Sequence, residues 1–290
     1  MQKFIVEGGI SLSGSITPSG NKNEALPVLA ATLLAHQPVT IHNVPDIIDI
    51  AIMRDLLVSL GVKIQQIDAH TFRFDSSHLQ STVPDSGQAK RIRGSFLLAG
   101  PLLARSNSID LPAPGGDRIG LRPVHTHLLA LEKLGAEISL SEDGLYQMRS
   151  KDLTGTDIYL DEASVMATEN AIMAAVTAKG KTSIYNAACE PHVQGLCHFL
   201  VMLGAAIEGV GSNLLIIEGV PKLAGGDYTI QPDHTEVGSF IGLAAVTGSE
   251  LRIKNAGVEY LRMTRLMFDK LGVETIVEGN DLLIPKKQKL

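Results

Sequence analysis

The sequence predicts an α/β fold built from repeated units of about 70 residues. Three observations carry this prediction. A Leu-Gly pair recurs four times, an amphipathic helical pattern precedes each pair, and a short apolar strand pattern follows it. The glycines of the four pairs are Gly61, Gly135, Gly204 and Gly272. Because these pairs are spaced almost evenly, we interpret them as the same point in four successive units.

Each unit contains two predicted helices. Counted back from each glycine, positions −1, −4 and −5 are apolar. They form one buried stripe of an α-helix, and the glycine supplies the positive φ that ends the helix. Upstream lies a second helix that is apolar nearly all round, at residues 25–35, 95–104, 170–178 and 237–246. A helix without a polar face must be buried, so several units must pack these helices together.

Strand patterns separate and follow the helices. Between the two helices of each unit we predict a strand, at residues 39–44, 108–111, 182–185 and 250–253. A proline stands at or next to the start of three of the amphipathic helices (Pro45, Pro123 and Pro191), where its fixed φ is tolerated. The first twenty residues contain no such unit and predict strands at 4–6 and 11–17.

Composition excludes several classes of protein. The 290 residues are 44% apolar and 19% charged, which is typical of a globular chain. The apolar stretch at 25–35 is shorter than the ~18 residues of a membrane span, and the run at 4–6 is too short for a secretion signal. We therefore expect a cytoplasmic protein with no membrane partner.

Charge and cysteine content exclude further partners. A net charge of −6 and the absence of tryptophan argue against a nucleic-acid surface built from basic stripes and stacking aromatics. Two cysteines cannot form a disulfide framework for a chain of this size. Cys197 lies on an apolar helical stripe and no Cys-x-x-Cys pair occurs, so we expect no metal site.

Five motifs carry a resemblance that runs over the whole chain. They are SGNKNEALP at residues 19–27, GGDRIGLRP at 115–123, ASV at 163–165, NAACEP at 186–191 and QPD at 231–233. With them the chain resembles the UDP-N-acetylglucosamine 1-carboxyvinyltransferases, the enolpyruvyl transferases that begin peptidoglycan precursor synthesis.

The resemblance implies an architecture. Six units would form two domains of three, each an inside-out α/β barrel with apolar helices inside and sheets outside, and substrates would bind in the cleft between the domains. Residues 21–228 would be a complete first domain of three repeats. Residues 1–20 with 229–290 would form an incomplete second domain, so we expect a chain that is incomplete at its C-terminus.

The resemblance also implies an enzyme and its substrates. The enolpyruvyl group of phosphoenolpyruvate would be transferred to the 3-hydroxyl of UDP-N-acetylglucosamine by addition and elimination, with release of phosphate. This transferase reaction is the first committed step of peptidoglycan synthesis, and it serves cell wall biogenesis, cell shape, the cell cycle and cell division. The chemistry needs an acid/base group and cations for two anions, but no cofactor and no metal.

Two cations are the main candidates for these anions. Lys22 stands at the start of the first apolar helix, where the helix dipole already attracts phosphate, although a lysine in a loop is more often simply solvated. Arg122 follows a glycine-rich loop and offers a bidentate fork, although it could also be an ordinary surface arginine. The resemblance implies that Lys22 contacts the enolpyruvate, that Asn23 holds the sugar and that Arg122 holds the phosphate.

Asp117 departs from the pattern of the family. Most members carry a cysteine at this position, which is the general acid and the covalent target of fosfomycin. An aspartic acid can donate the same proton only if burial raises its pKa well above ~3.9. The surrounding prolines and glycines predict a lid that closes over substrate. The alternative is an aspartate that forms backbone hydrogen bonds in a turn.

Further substrate contacts follow from the resemblance alone. The implied residues are Arg93, the backbone of Pro123, Val124 and His125 near the uridine, Ser164 and Val165 at the diphosphate, and Glu190 and Asp233 along the cleft. Glu162 and Met166 stand where the family commonly has Lys and Gly, which puts local phosphate contacts in doubt. Glu190 and Asp233 could also be helix N-terminal acids or turn residues.

Two other functions remain open at this point. One is a non-catalytic protein that binds UDP-N-acetylglucosamine, because the family's proposed general base and further arginines come from units that are absent here. The other is a shikimate-pathway enolpyruvyl transferase. This alternative is disfavoured because the Lys22-Asn23 pair differs from the Lys-Ser pattern of that family.

Overall fold

A computed structural model describes residues 3–116, 120 and 122–288. The chain divides into two compact units. The large unit is Lys22–Ile230, and the small unit combines Met1–Asn21 with Gln231–Leu290. Three of the four Leu-Gly pairs lie in the large unit and the fourth lies in the small one.

Both predicted helices are present in each of the four repeats. Those in the described residues are α1 (Lys22–Ala31), α2 (Ile48–Ser59), α3 (Ser86–Ala89), α4 (Ala99–Ser106), α5 (His125–Lys133), α6 (Val165–Ala175), α7 (Pro191–Met202), α8 (His234–Thr247) and α9 (Arg262–Lys270). Two of the apolar helices include 3-10 segments, since Thr32–Leu34 extends α1 and Arg93–Leu98 precedes α4. Of the three prolines, only Pro191 lies within the first turn of its helix.

The strands are short and follow the predicted order. They are β1 (Ser13–Ile16), β2 (Val39–His42), β3 (Lys63–Gln66), β4 (Phe72–Asp75), β5 (Ser108–Pro112), β6 (Glu137–Leu140), β7 (Leu145–Arg149), β8 (Asp157–Tyr159), β9 (Lys181–Tyr185), β10 (Ala206–Glu208), β11 (Leu214–Glu218), β12 (Gly226–Thr229), β13 (Glu250–Ile253), β14 (Ile276–Glu278) and β15 (Asp281–Ile284). The predicted strand at 4–6 is wrong. Within the described part of the N-terminal segment, β1 alone pairs with another strand, β13, and a strand needs such a partner.

The Leu-Gly pairs end the amphipathic helices as predicted. Helices α2, α5, α7 and α9 each have the leucine as the C-terminal cap. The glycine that follows has a φ of +100° at Gly61, +103° at Gly135, +105° at Gly204 and +83° at Gly272. Residues with a side chain rarely adopt this conformation, so the glycine is the residue that lets the chain leave the helix and enter the next strand.

Three sheets share one strand order. Among the described residues the orders are β12-β2-β4-β3, β8-β9-β11-β10 and β1-β13-β15-β14, with the first pair parallel and the other pairs antiparallel. The fourth sheet, β5-β7-β6, repeats the antiparallel part. Because β12 lies at the end of the large unit and β2 near its start, their pairing connects its third repeat to its first.

An asparagine with positive φ follows the inter-helix strand in three repeats. These residues are Asn43, Asn186 and Asn255, with φ of 55°, 58° and 47°. The Nδ2 of Asn43 donates to the carbonyl of Ile230 at 2.9 Å, and the Nδ2 of Asn186 donates to that of Leu160 at 3.0 Å. Ile230 and Leu160 directly follow β12 and β8, so Asn43 and Asn186 each stabilise the end of a parallel strand pair.

The apolar helices form the centre of the large unit. Residues 24–31 of α1, residues 94–103 through the 3-10 segment into α4, and residues 167–175 of α6 are all buried. Helix α4 packs against α6, and α1 packs against α2 and α7. Side chains of all three repeats belong to one hydrophobic cluster, as expected for helices that lack a polar face.

The small unit has a core of its own. Within it, α8 buries one face through Val237, Ile241 and Ala244, while Leu243 and Val246 on the same apolar helix are exposed. Among the described residues, no helix combines the length and the hydropathy needed to cross a membrane.

Candidate functional site

A cavity of about 420 Å³ opens in the large unit beside the first turns of α1 and α6. We name it the first cavity. Its polar lining consists of Lys22, Asn23, Asp49, Arg91, Arg93, Arg122, Glu169 and His192. Five residues that the sequence predicted meet here: Lys22, Asn23, Arg93, Arg122 and Val165.

A second cavity of about 370 Å³ adjoins the first. It shares Arg93, Arg122 and Val165 with the first cavity and adds the predicted residues Pro123 and Ser164. The structure therefore brings seven predicted residues into one continuous region, with Arg93 and Arg122 on the boundary between the cavities.

Lys22 is the first residue of α1, and the buried length of that helix holds it at the wall of the first cavity. Its Nζ lies 2.5 Å from the Oδ2 of Asp49, and both side chains are partly exposed. The positive end of the α1 dipole adds to the charge of Lys22, so the start of this helix favours an anion.

Arg93 and Arg122 present two positive charges to both cavities. Desolvation and, after it, the charge of Arg122 lower the pKa of Arg93, while Glu162 acts in the opposite direction. The Nη2 of Arg93 donates to the carbonyl of Pro123 at 3.3 Å, which ties the arginine to the start of α5. The two guanidinium groups repel each other, and a phosphate that binds both of them would relieve this repulsion.

A buried histidine lines the second cavity. The Nδ2 of Asn170 lies 2.9 Å from the Nδ1 of His127 and also donates to the carbonyl of Phe96 at 2.9 Å. The amide nitrogen can only donate, so Nδ1 of His127 accepts and the proton of the neutral ring is on Nε2. Burial, and then the charges of Arg93 and His125, lower the pKa of His127 to about 3. His127 is thus a neutral hydrogen-bond donor at this wall.

Three residues of the cavity lining were not predicted from the sequence: Glu169, Asp49 and Arg91. Glu169 is 1% exposed, lines the first cavity, and its Oε1 has no hydrogen-bond partner among the described residues. Burial and, after it, the charge of Glu190 raise the pKa of Glu169 well above its usual value. The available signal was an acid inside an otherwise uncharged helix, α6.

Two predicted uridine contacts lie at the start of α5 outside the linings of both cavities. Val124 is a buried N-terminal cap of that helix. His125 is its first residue, and its Nε2 lies 2.9 Å from the Oδ2 of Asp161. The hydroxyl of Thr126 donates to the other oxygen of Asp161 at 2.7 Å.

Glu190 and Asp233 are both helix N-terminal caps, the alternative that the sequence left open. Glu190 precedes α7 and its side chain makes no capping hydrogen bond. Asp233 precedes α8 in the small unit, and its Oδ1 accepts from the backbone N–H groups of Thr235 at 2.8 Å and Glu236 at 3.2 Å.

The predicted acid Asp117 lies outside the described residues. Its neighbour Gly116 lines the first cavity with a φ of +92°, beside the backbone of Arg93. Within the described parts of the chain, no group of three or more His, Cys, Asp or Glu side chains is placed to hold a metal ion. Cys189 is exposed, whereas Cys197 is buried, which raises its pKa to about 12.

The chain matches one protein family almost from end to end. Residues 6–289 match the family of EPSP synthase (3-phosphoshikimate 1-carboxyvinyltransferase). Among curated proteins, the chain is 52% identical over 288 residues to the UDP-N-acetylglucosamine 1-carboxyvinyltransferase of Bradyrhizobium diazoefficiens, covering 99% of this chain and 66% of that protein. The enzyme of the same name from Treponema denticola is 47% identical, with 100% of this chain and 68% of that protein covered. The chain thus spans about two thirds of the length of these relatives.

Solved structures share the fold. The enolpyruvyl transferase NikO from Streptomyces tendae superposes with a TM-score of 0.84 at 26% identity, covering 96% of this chain and 66% of that one. EPSP synthase from Acinetobacter baumannii gives a TM-score of 0.77 at 20% identity, with coverages of 98% and 66%. These findings confirm the mixed α/β fold and the resemblance carried by the five motifs. The chain belongs to the EPSP synthase family and, within it, to the UDP-N-acetylglucosamine 1-carboxyvinyltransferases.

Proposed function

We propose that this chain acts in the transfer of the enolpyruvyl group from phosphoenolpyruvate to the 3-hydroxyl of UDP-N-acetylglucosamine, in the cytoplasm, as the first committed step of peptidoglycan synthesis. The observation that carries the proposal is the meeting of Lys22, Arg93 and Arg122 with Asn23 in the first cavity. Three cations and an amide suit a phosphate next to a sugar. The names of the relatives at 52% and 47% identity support the same substrates.

The proposed chemistry assigns a task to each group. The 3-hydroxyl gives its proton to a general base and adds to C2 of the enolpyruvate while Asp117 delivers a proton to C3. A base then removes a proton from C3, the C2–C3 double bond re-forms and phosphate leaves from C2. Lys22 and Arg122 hold the phosphate and stabilise the charge that it carries away. The general base is not assigned to a residue of this chain.

The nucleotide sugar is proposed to occupy the second cavity and its surroundings. Asn23 would hold the sugar, Ser164 and Val165 the diphosphate, and the backbone of Pro123, Val124 and His125 the uridine. Arg93 lies on the boundary of the cavities, where it could contact either substrate. Glu190 and Asp233 are proposed to contact substrate beyond their capping positions.

We propose that the large unit is an inside-out barrel of three repeats, with helices inside and sheets outside. Residues 21–228 would form that domain, and residues 1–20 with 229–290 would be part of a second one. The burial of the apolar helices of all three repeats in one cluster supports this architecture.

Ligand binding and phosphate release test the proposed function. Calorimetric titration of the chain is expected to give binding of UDP-N-acetylglucosamine and no binding of shikimate 3-phosphate. The variants Lys22→Ala and Arg122→Ala are expected to bind phosphoenolpyruvate at least about tenfold more weakly, because each loses a charged contact. Binding of shikimate 3-phosphate in place of the nucleotide sugar would overturn the proposal. Nucleotide-sugar binding without phosphate release from phosphoenolpyruvate would identify a non-catalytic binder.

A further inference from the structure

Glu169 occupies an unusual position in the large unit. It is the one charged residue of α6, and the residues of that helix from Ala167 to Ala175 are all buried. A carboxylate in such surroundings loses its hydration without replacement, which is costly unless the group is paired or protonated. The side chain nevertheless lines the first cavity.

The groups around Glu169 leave one of its oxygens unused. Among the described residues its Oε1 has no hydrogen-bond partner, although the atom is buried. The titratable groups near it on α7 and its cap are Cys197 and Glu190. The other titratable residues of the cavity are Lys22, Asp49, Arg91, Arg93, Arg122 and His192. Buried polar atoms in native proteins are nearly always hydrogen-bonded, so this oxygen points to a missing ligand.

We propose, resting on the proposed function, that Glu169 is a substrate-binding residue whose carboxylic acid donates a hydrogen bond to a phosphoryl oxygen in the first cavity. The positively charged side chains of the cavity lining favour the binding of an anion. In a phosphate-containing anion, the phosphoryl oxygens accept hydrogen bonds. An ionised Glu169 would repel this anion, whereas a protonated acid forms a short, strong hydrogen bond with it. Burial and the neighbouring Glu190 favour the protonated form.

Two substrates could supply this oxygen. Phosphoenolpyruvate carries a single phosphate, and the nucleotide sugar carries a diphosphate. Both present the same chemistry to Glu169, so separate titrations with each compound identify the source. In either case Glu169 adds a donor without adding a charge to a cavity that already contains four cations.

Three variants of the chain test the proposal. Glu169→Gln keeps a donor of similar shape, Glu169→Leu removes the donor and keeps the volume, and Glu137→Gln changes an exposed glutamate of β6 as the matched control. We expect Glu169→Leu to bind one or both phosphoryl compounds about tenfold more weakly, as for the loss of a hydrogen bond to a charged group. Glu169→Gln and Glu137→Gln should stay within about threefold of the original chain.

A spectroscopic readout keeps the test independent of folding. The carbonyl stretch of a protonated carboxylic acid, identified by its loss in Glu169→Gln, is expected to shift when inorganic phosphate, phosphoenolpyruvate or UDP-N-acetylglucosamine is added. A carbonyl band that none of the three compounds shifts overturns the proposal, as does a folded Glu169→Leu that binds all ligands normally. If the chain binds phosphoenolpyruvate through Glu169 but never UDP-N-acetylglucosamine, the proposed function fails and the role of Glu169 stands. If the unchanged chain binds neither compound, both fail.

Discussion

The Nζ of Lys22 lies 2.5 Å from the Oδ2 of Asp49 at the wall of the first cavity. The two side chains are 44% and 34% exposed, so the pair contributes at most about 1 kcal/mol to the free energy of unfolding. We expect its larger effect to be on anion binding, because Asp49 already neutralises the charge of Lys22 that an incoming anion would contact.

Removing each partner of this pair should therefore have opposite effects on anion binding. We expect Asp49→Asn to strengthen the binding of inorganic phosphate by a few fold, since about 1 kcal/mol of competition disappears. Lys22→Met should weaken it by about tenfold. Calorimetry at low salt measures both, and the contrast should shrink at about 1 M salt, where charges are screened. Weaker phosphate binding by Asp49→Asn would show that Asp49 supports the site.

The electrostatic repulsion between Arg93 and Arg122 predicts that Arg122 strengthens anion binding but does not stabilise the free protein. Arg122→Gln relieves this repulsion, so the melting temperature without ligand should stay unchanged or rise slightly. The rise in melting temperature caused by phosphoenolpyruvate should shrink, because ligand stabilisation follows affinity. Arg73→Gln, at an exposed position on β4, is the control and should match the original chain in both measurements. An undiminished ligand effect in Arg122→Gln would remove Arg122 from the site.

His127 predicts a dependence of stability on pH. Its pKa is about 3 in the folded chain against 6.5 as the ordinary value, so between these limits only the unfolded chain takes up the proton. The free energy of unfolding should thus fall as the pH falls from about 6.5, by up to about 1.4 kcal/mol per pH unit from this group. In urea unfolding followed by circular dichroism, His127→Gln should lack this component. His198→Gln, on the exposed side of α7, should keep it. Equal pH slopes in all three proteins would contradict the assignment.

Two equivalent glycines should respond differently to alanine. At Gly204 a Cβ would meet nothing within 4 Å, so Gly204→Ala should cost only about 1–2 kcal/mol for the left-handed backbone. At Gly61 a Cβ would lie 2.8 Å from the backbone nitrogen of Gln80, which is bonded to the carbonyl of Leu60 and has little room to move. Gly61→Ala should cost about 1–3 kcal/mol more, as overpacking does. If urea unfolding shows the same loss of unfolding free energy in both variants, the loop at Gln80 moves to make room for the Cβ.

The aspartate at position 117 predicts resistance to fosfomycin. We expect the antibiotic neither to inhibit phosphate release nor to increase the intact mass of the protein, because a carboxylate is a far weaker nucleophile than a thiolate. The exposed Cys189 is a separate target, so the measurement is best made on Cys189→Ser. An adduct located at Asp117 by peptide mass would contradict the prediction.

Much of the fold was predictable because it repeats. Leu-Gly pairs and all-round apolar helices are local patterns, and α2, α5, α7 and α9 end at the leucine of each pair. Strand pairing over long distances was not predictable in the same way. Residues 4–6 have a strand-like composition but pair with no strand in the described parts of the chain. The parallel pairing of β12 with β2 depends on the closure of the whole large unit.

The site was predictable where chemistry coincides with motifs. Lys22, Asn23 and Arg122 belong to the motifs at 19–27 and 115–123, and they line one cavity together with Arg93. Glu169 has no motif of its own, since its significance comes from burial and an unused oxygen. Those properties arise only when α6 packs against its neighbours, so they could not be predicted from the amino-acid sequence alone.

The strand order of the small unit affects the sequence of events during synthesis. Leu12 and Ser249 are 237 residues apart in the chain, yet the backbone N–H of Leu12 donates to the hydroxyl of Ser249 at 2.7 Å beside the β1–β13 pair. The large unit can close its own sheet when β12 emerges from the ribosome, whereas β1 must wait for β13. At translation rates of about 5–20 residues per second, β1 stays unpaired for roughly 10 to 50 seconds. During that interval it is an open strand edge that a chaperone, or another nascent chain, can bind.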